Sequence, residues 1–199
     1  MSYLKQFANH CIEKGGLTQE EFDLFQHEIK PKIVRKGEVI LWAGQSSNQV
    51  FFINKGILRA FVIDEMGKEH VVQFAPPGWF ITDLQQFEVY EPSKICIDAI
   101  ENSEIISFPD DLFLRMATIS QAFCAFHRRM LHRRIQMQQQ RIIRFLSARA
   151  EERYINFIKY YPDIVQQVPQ WMIATYLGIT PESLSIVLKE LANRRESQS

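Results

Sequence analysis

The sequence predicts an α+β fold: an antiparallel β-roll with flanking helices, then a long helix and a terminal pair of short helices. Three observations support this order. Short β-type runs punctuated by glycine and proline extend from Lys32 to Phe108. Residues 111–145 contain neither Gly nor Pro and are rich in helix-forming side chains. Two short apolar patterns at helical spacing, separated by Gly178, follow near the C-terminus.

The β-region contains five or more short strands separated by turn signals, which indicates an antiparallel roll or barrel. Its runs include VFFINKG, ILRAFVID and ICIDAI. Residues 63–68 are typical of a hairpin turn in which Gly67 supplies a positive φ. Short helices that cover a neighbouring core are expected in the first thirty residues, where Thr18 is placed as an N-cap before Glu20 and Glu21.

The composition is that of a folded globular chain. Of its 199 residues 46% are hydrophobic and 23% are charged, which argues against disorder. No apolar run approaches the roughly 20 residues of a membrane helix, and the N-terminus lacks the apolar core of a signal peptide, so we expect a cytoplasmic protein without a membrane partner. Residues 1–110 hold 10 Lys or Arg and 16 Asp or Glu, whereas residues 111–199 hold 13 and 7. This asymmetry favours a polyanion partner for the C-terminal half, although a solvated basic helix fits it too.

Motifs for catalysis and metal binding are not evident. Cys11, Cys96 and Cys124 stand at long, unrelated spacings, which fits neither a disulfide framework nor a metal or redox site. The five histidines form no HExxH pattern, and the sequence contains no P-loop, GxGxxG or Ser/His/Asp order. We therefore predict no catalytic residues, no metal ligands and no enzymatic activity.

The long helix carries an a/d-type apolar seam that would bury itself against a partner helix. The seam begins at Ile119 and assigns four residues to homodimerisation: Phe123, Phe126, Met130 and Met137. The alternative is that the same stripe packs on the chain's own β-roll. On the dimer interpretation, a sensor roll over residues 1–117, a dimerisation helix over 118–145 and a terminal domain over 146–199 are expected.

The terminal domain has the pattern of a helix-turn-helix. Pro169 can open the first helix, Gly178 ends it, and Thr180 and Pro181 occupy the N-cap and first position of the second. The second helix would lie in a DNA major groove. The predicted DNA-binding residues are Gln170, Thr180, Pro181, Glu182, Ser183, Ser185, Ile186 and Lys189. A plain helical hairpin fits the same pattern.

This order of elements resembles the Crp/Fnr family of bacterial transcription regulators over nearly the whole chain. MGKEHVVQFAPPGWFITDLQQF is similar to the hairpin and the turn that cradles a cyclic nucleotide in that family, and IATYLGITPESLSIVLKEL is similar to its DNA-reading unit. The resemblance implies a jelly-roll sensor of the cyclic-nucleotide-binding type, a homodimer, and double-stranded DNA and RNA polymerase as partners. A signal bound in the roll would reorient the DNA-binding domains.

The chain departs from the family at the pocket that the resemblance implies. The candidate pocket residues are Val72, Gln73, Thr82, Asp83, Leu84, Ser93, Lys94, Arg134 and Gln138. Ser93 and Lys94 align with the arginine and serine that hold the phosphate, so the arginine is missing, and Lys94 would point to the opposite face of a strand. We expect that cyclic AMP does not bind, and that the pocket is either closed by side chains or takes an unidentified small-molecule effector.

Other family features are missing as well. An iron–sulfur cluster needs four thiolates, and the N-terminal region offers only Cys11, so no cofactor is expected. Pro181 and Ile186 stand where relatives use arginines, and no β-hairpin wing is evident after Leu191. The main hypothesis is a dimeric DNA-binding transcription regulator with a degenerate pocket. The alternative is an effector-binding or protein-interaction module that has lost sequence-specific DNA binding.

Overall fold

The computed structural model describes residues 2–83 and 91–196, which form two compact units. The first unit comprises Met1–Val62 and Gln73–Ile135, and the second comprises Ile63–Val72 and Gln136–Ser199. The predicted boundaries of the sensor roll, the dimerisation helix and the terminal domain, at 117/118 and 145/146, describe functional parts of the chain and stay predictions.

The N-terminal region of the first unit is helical, as predicted. It contains helix α1, a π-helical turn, helix α2 and a 3-10 turn, over Ser2–Asn9, His10–Lys14, Gln19–Asp23 and Gln26–Glu28. Glu21 N donates to Thr18 Oγ1 (3.1 Å), and Thr18 N donates to Glu21 Oε2 (2.9 Å). This capping box confirms Thr18 as the N-cap of α2.

Eight strands in the described residues form two four-stranded sheets, which confirms the predicted antiparallel roll. The strands β1 to β8 are Lys30–Val34, Val39–Leu41, Gln49–Lys55, Leu58–Ile63, Glu69–Ala75, Phe80–Ile81, Cys96–Ala99 and Ser103–Pro109. The strand orders are β1-β8-β3-β6 and β2-β7-β4-β5. The predicted hairpin turn follows β4, with Gly67 at a φ of 78°.

Both faces of the first sheet are covered. Phe51 and Ile53 of β3 belong to the core between the sheets, whereas Val50 and Phe52 pack against the helices on the other side. Successive side chains of a strand point to opposite faces, so covering both faces requires a continuous apolar run. This explains why VFFI does not alternate with polar residues.

A buried ion pair joins two strands of the second sheet. Arg59 and Asp98 face each other across β4 and β7 and are only 5% and 9% exposed. The guanidinium donates two hydrogen bonds to the carboxylate, from Nε to Oδ1 (2.8 Å) and from Nη2 to Oδ2 (2.9 Å). It also lies 4.2 Å from the centroid of the Phe61 ring. Neither residue was singled out from the sequence.

The helices after the roll differ from the predicted seam. Ser120 breaks the long segment into α3 (Leu112–Ile119) and α4 (Gln121–Ser147), where the sequence left one helix or two open. Phe123 is completely buried in the core of its own chain, so its assignment to a dimer interface is wrong. Phe126 and Met130 pack partly against the same core, as the alternative interpretation held for the stripe.

A second apolar stripe of α4 is exposed. Leu131, Ile135 and Ile142 are 41%, 63% and 60% exposed and follow one another at steps of four and seven, with Gln138 at the intervening position. We call these three apolar residues the exposed stripe of α4. Met137, from the predicted seam, is half-buried.

The chain continues with α5 (Ala150–Tyr160), α6 (Gln170–Leu177) and α7 (Pro181–Glu196). Within the described ranges no single helix is long and apolar enough to cross a membrane. Helices α6 and α7 reach that length and apolar composition only together, as a pair bent by 99°.

The buried Arg59–Asp98 pair generates a first prediction. Asp98→Leu leaves a buried guanidinium without its carboxylate, so we expect the free energy of unfolding to fall by about 3–5 kcal/mol. Arg59→Leu with Asp98→Leu removes both charges and should recover most of that loss. Urea denaturation of the three proteins measures this. A double variant as unstable as Asp98→Leu would contradict this prediction. It would show that two leucines cannot replace the stabilisation that the ion pair gives this sheet.

Candidate effector pocket and nucleic-acid interface

The turn between α6 and α7 depends on a glycine. Gly178 has a φ of 66°, and Ile179 N donates to Ala174 O (3.0 Å), which satisfies a carbonyl at the end of α6. A Cβ built at position 178 would lie 2.3 Å from a ring carbon of Phe145. The backbone conformation therefore requires glycine here, and a larger residue would also displace the Phe145 ring.

The two helices have helix-turn-helix geometry. They meet at 99°, within the range of this motif. Ser183 N donates to Thr180 Oγ1 (3.2 Å), so Thr180 caps α7 as predicted. Leu184 and Val187 are buried, and so are Ala174 and Leu177 of α6, which places the predicted apolar stripes against each other.

The outward face of α7 carries most of the predicted DNA-binding residues. Pro181, Glu182, Ser185, Ile186 and Lys189 are all exposed and follow helical spacing, so the structure brings them together on one face. Gln170 and Thr180 are exposed too, at the starts of α6 and α7, whereas Ser183 is half-buried. Ile186 is 58% exposed.

Glu182 is held as an anion at the start of α7. Hydrogen bonds from its own backbone N–H and from the Thr180 hydroxyl lower the pKa of Glu182. An anionic side chain is favoured at this end of a helix. The carboxylate is thus available as an acceptor on the outward face.

Arg141 of α4 is a residue that the sequence did not distinguish from the other arginines nearby. Its guanidinium donates to the carbonyl oxygens of Val72, Val71 (3.4 Å) and Tyr176 (3.3 Å) and lies 4.2 Å from the centroid of the Tyr176 ring. Val71 N donates to Thr175 Oγ1 (3.4 Å). Within the second unit, Arg141 therefore joins the end of the β4–β5 hairpin to α6.

In the predicted effector pocket, polar side chains satisfy one another. The Ser93 hydroxyl donates to Asp83 Oδ2 (2.6 Å), and both residues are buried. Thr82 Oγ1 donates to Gln49 O (2.9 Å). Lys94 is exposed although Ser93 is only 3% exposed, but neither residue lies in the predicted strand, because β7 begins at Cys96. Neither of the two supplies a buried cation at the position where the family has its arginine.

The remaining pocket candidates are only partly brought together. Gln73 Nε2 donates to Phe80 O (2.9 Å) and Arg134 Nη2 donates to Gln73 Oε1 (3.3 Å), both within the first unit. Val72 and Gln138 belong to the second unit. Leu84 lies outside the described residues.

Comparison with known proteins agrees with this geometry. Residues 31–119 match the family of the cyclic nucleotide-binding domain. The anaerobic regulatory protein of Haemophilus influenzae is 27% identical over 188 residues, which cover 86% of this chain and 71% of that protein. The fumarate and nitrate reduction regulatory protein of Escherichia coli K12 is 26% identical over 192 residues, which cover 86% and 73%. FixK2 from Bradyrhizobium japonicum shares the fold, with a TM-score of 0.70 at 17% identity and coverages of 83% and 85%. The chain is thus similar to regulators of the Crp/Fnr type. The predicted resemblance is confirmed, and the relatives are named as regulators rather than enzymes.

The resemblance raises two possible bound groups, a four-thiolate iron–sulfur cluster and a cyclic nucleotide. A four-thiolate cluster does not fit, because the chain has three cysteines and two of them, Cys11 and Cys96, are buried. Burial raises the pKa of the Cys11 thiol, which opposes the thiolate that a metal requires. No group of three or more His, Cys, Asp or Glu suited to a metal occurs among the described residues. At the predicted pocket, Ser93 and Lys94 stand where cyclic-nucleotide-binding members of the family have a phosphate-binding arginine.

The satisfied Asp83–Ser93 pair generates a second prediction. We expect cyclic AMP to give no saturable heat in calorimetry below about 1 mM, because losing one member of a charge-assisted phosphate grip costs on the order of 2–5 kcal/mol. Lys94→Ala should leave the titration unchanged, since Lys94 is exposed. A micromolar constant that Asp83→Ala abolishes would contradict this prediction.

Proposed function

We propose that this protein is a dimeric, sequence-specific DNA-binding transcription regulator of the cytoplasm whose sensor pocket does not take cyclic AMP. The observation that carries the proposal is the outward face of α7, on which Glu182, Ser185, Ile186 and Lys189 stand together beyond a glycine turn at 99°. RNA polymerase is a further partner that the similarity to Crp/Fnr regulators implies. The effector is a small molecule other than cyclic AMP.

The chemistry of α7 suggests what it reads. A carboxylate such as that of Glu182 accepts a hydrogen bond from the cytosine amino group, and Lys189 can bind a phosphate. Ile186 has no polar group, so the base feature that it can recognise is the thymine methyl. Relatives with arginine at this position can contact guanine, and we therefore expect an A·T pair where Ile186 meets the groove.

The exposed stripe of α4 supports dimerisation. Leu131, Ile135 and Ile142 lie at a/d spacing, with Gln138 as the one polar residue among them. A second copy of the same helix would cover them, and fully burying such a side chain contributes roughly 1.5–3 kcal/mol. This stripe replaces the predicted seam of Phe123, Phe126, Met130 and Met137 as the proposed interface. Two-fold symmetry would then set the half-sites one helical turn, or a multiple of it, apart.

The exposed Ile186 also favours a second candidate function. An apolar side chain that is 58% exposed on an otherwise polar face suits contact with a protein as well as with DNA. On this alternative, the chain is an effector-binding or protein-interaction module that no longer reads DNA. Retention of selected DNA separates the two candidates.

The third prediction tests how α7 reads DNA. After selection of a preferred site from a random pool, we expect fluorescence anisotropy to show salt-sensitive binding that weakens about fourfold when one contacted thymine is replaced by uracil. The reason is the loss of one methyl group, worth about 0.8 kcal/mol. Ile186→Ala should bind the thymine and uracil sites equally.

Ile33→Ala is the control, because Ile33 is another exposed isoleucine, on β1 and outside the helix-turn-helix. It should keep the fourfold preference for thymine. If no site is enriched at any salt concentration, the interaction-module candidate replaces the DNA-binding one. If sites are enriched but Ile186→Ala keeps the thymine preference, Ile186 does not contact the methyl group.

The fourth prediction concerns the dimer. Ile135→Glu places a charge in the middle of the exposed stripe, so we expect sedimentation equilibrium to show a dimer for the unchanged protein and a monomer for this variant. Ile33→Glu, also at an exposed isoleucine, should remain dimeric. Monomeric behaviour of the unchanged protein at tens of micromolar, or equal dissociation of both variants, would contradict the assignment.

A further inference from the structure

The end of the β4–β5 hairpin, Ile63–Val72, belongs to the second unit, and we call it the hairpin tip. One aspartate orders its turn. Asp64 Oδ1 accepts hydrogen bonds from the backbone N–H groups of Met66 and Lys68 (both 2.9 Å), and Asp64 Oδ2 accepts one from His70 Nε2 (2.7 Å). The tip therefore has a defined shape, which its own hydrogen bonds hold.

The hairpin tip is fastened to the last turn of α6. Val71 N donates to Thr175 Oγ1 (3.4 Å). Arg141 of α4 donates to the carbonyl oxygens of Val71 and Val72 in the tip and of Tyr176 in α6, so one guanidinium joins the two elements. These contacts lie just before the glycine turn that leads into α7. They place the tip next to the junction of the two helices.

Lys68 brings the charge of the tip to the start of α7. Hydrogen bonds from the backbone N–H of Glu182 and from the Thr180 hydroxyl lower the pKa of Glu182, and the nearby charge of Lys68 lowers it further. Lys68 is therefore close to the first turn of α7. In a helix-turn-helix, this is the part of the recognition helix that contacts base edges.

A DNA duplex leaves little room for an element at this position. The major groove is about 12 Å wide and a helix with its side chains is about 10–12 Å across, so the helix fills the groove. An element beside the first turn of α7 would therefore meet the sugar–phosphate backbone at the edge of the groove.

The charge of the hairpin tip opposes such a meeting. Asp64, Glu65 and Glu69 are acidic, and Lys68 is the one lysine of the tip. The tip is thus negative whether His70 is neutral or protonated. Because phosphates are also negative, the tip would repel the backbone rather than bind it.

We propose that the hairpin tip is an autoinhibitory element: fastened to α6, it occupies the space that the DNA backbone needs beside α7, and DNA binding requires it to separate from α6. The inference rests on the proposed function, since it presupposes that α7 reads DNA. It adds a means of regulation to that function. The fastening hydrogen bonds involve one arginine and one threonine side chain, so single substitutions can release the tip.

The fifth prediction releases the tip with Arg141→Met in the full chain. DNA sites are selected from a random pool with the unchanged protein and with the variant, and affinities are measured by fluorescence anisotropy. Loss of a positive charge alone would weaken binding. We instead expect binding to tighten by about fivefold or more, because a protein whose competent state is only a fraction of the population binds more weakly by that fraction. Thr175→Val, which removes the acceptor of Val71 N, should change the affinity in the same direction.

Arg144→Met is the matched control, because Arg144 lies on the same helix and its guanidinium is 5.6 Å from the centroid of the Tyr160 ring. It removes the same charge and should leave the affinity unchanged or lower it. Glu65→Lys keeps the fastening hydrogen bonds and should tighten binding by about threefold, because the tip then presents an attractive charge to a phosphate. Glu13→Lys, at an exposed glutamate of the first unit, should not reproduce this gain.

Hydrogen exchange gives a readout that a merely structural contact would not give. If the tip separates from α6 on binding, the Val71 amide of the unchanged protein should exchange faster with DNA than without it. Unchanged or weaker binding by both Arg141→Met and Thr175→Val, or slower exchange at Val71 with DNA, would overturn the autoinhibitory role. The proposed function would stand in that case, because the unchanged protein still binds its selected site. If neither the unchanged protein nor Arg141→Met enriches any site, both proposals fail.

Discussion

Helix α4 carries two apolar stripes, and much of the structure depends on how it divides them. One stripe, with Phe123 completely buried, completes the core beneath the β-roll. The other, centred on Ile135, stays exposed. A helix side committed to its own core cannot also face a partner, so the core packing decides which side is left for a second copy. The same helix carries Arg134 to Gln73 and Arg141 to the β4–β5 hairpin, each within its own unit.

The hairpin contact couples two elements of the second unit. Arg141 binds main-chain carbonyls of Val71, Val72 and Tyr176 and also lies over the Tyr176 ring, so the connection depends on backbone position and on one aromatic side chain. A shift of Val71 and Val72 would therefore change the contacts at the end of α6, next to the Gly178 turn. Within the second unit, Arg141 and the hydrogen bond from Val71 N to Thr175 Oγ1 thus link the end of the β4–β5 hairpin to α6.

The sequence was sufficient to predict features that depend only on neighbouring residues. The N-cap at Thr18 and the Gly178 turn were predicted because each depends on residues within a few positions. The seam was assigned wrongly at Phe123 because periodicity shows that a helix has an apolar side but not what covers it. The Arg59–Asp98 pair was invisible, since nothing in the sequence relates positions 39 residues apart. The sequence could not distinguish Arg141 from the other arginines of α4.

The buried polar groups of the predicted effector pocket are already paired with one another. In the predicted effector pocket, Asp83 and Ser93 bind each other, so a ligand would have to break a hydrogen bond that the chain already makes. Thr82 likewise donates to the main-chain carbonyl of Gln49, so its hydroxyl is also committed within the chain. A ligand that offers these groups no better partners therefore gains no free energy from them.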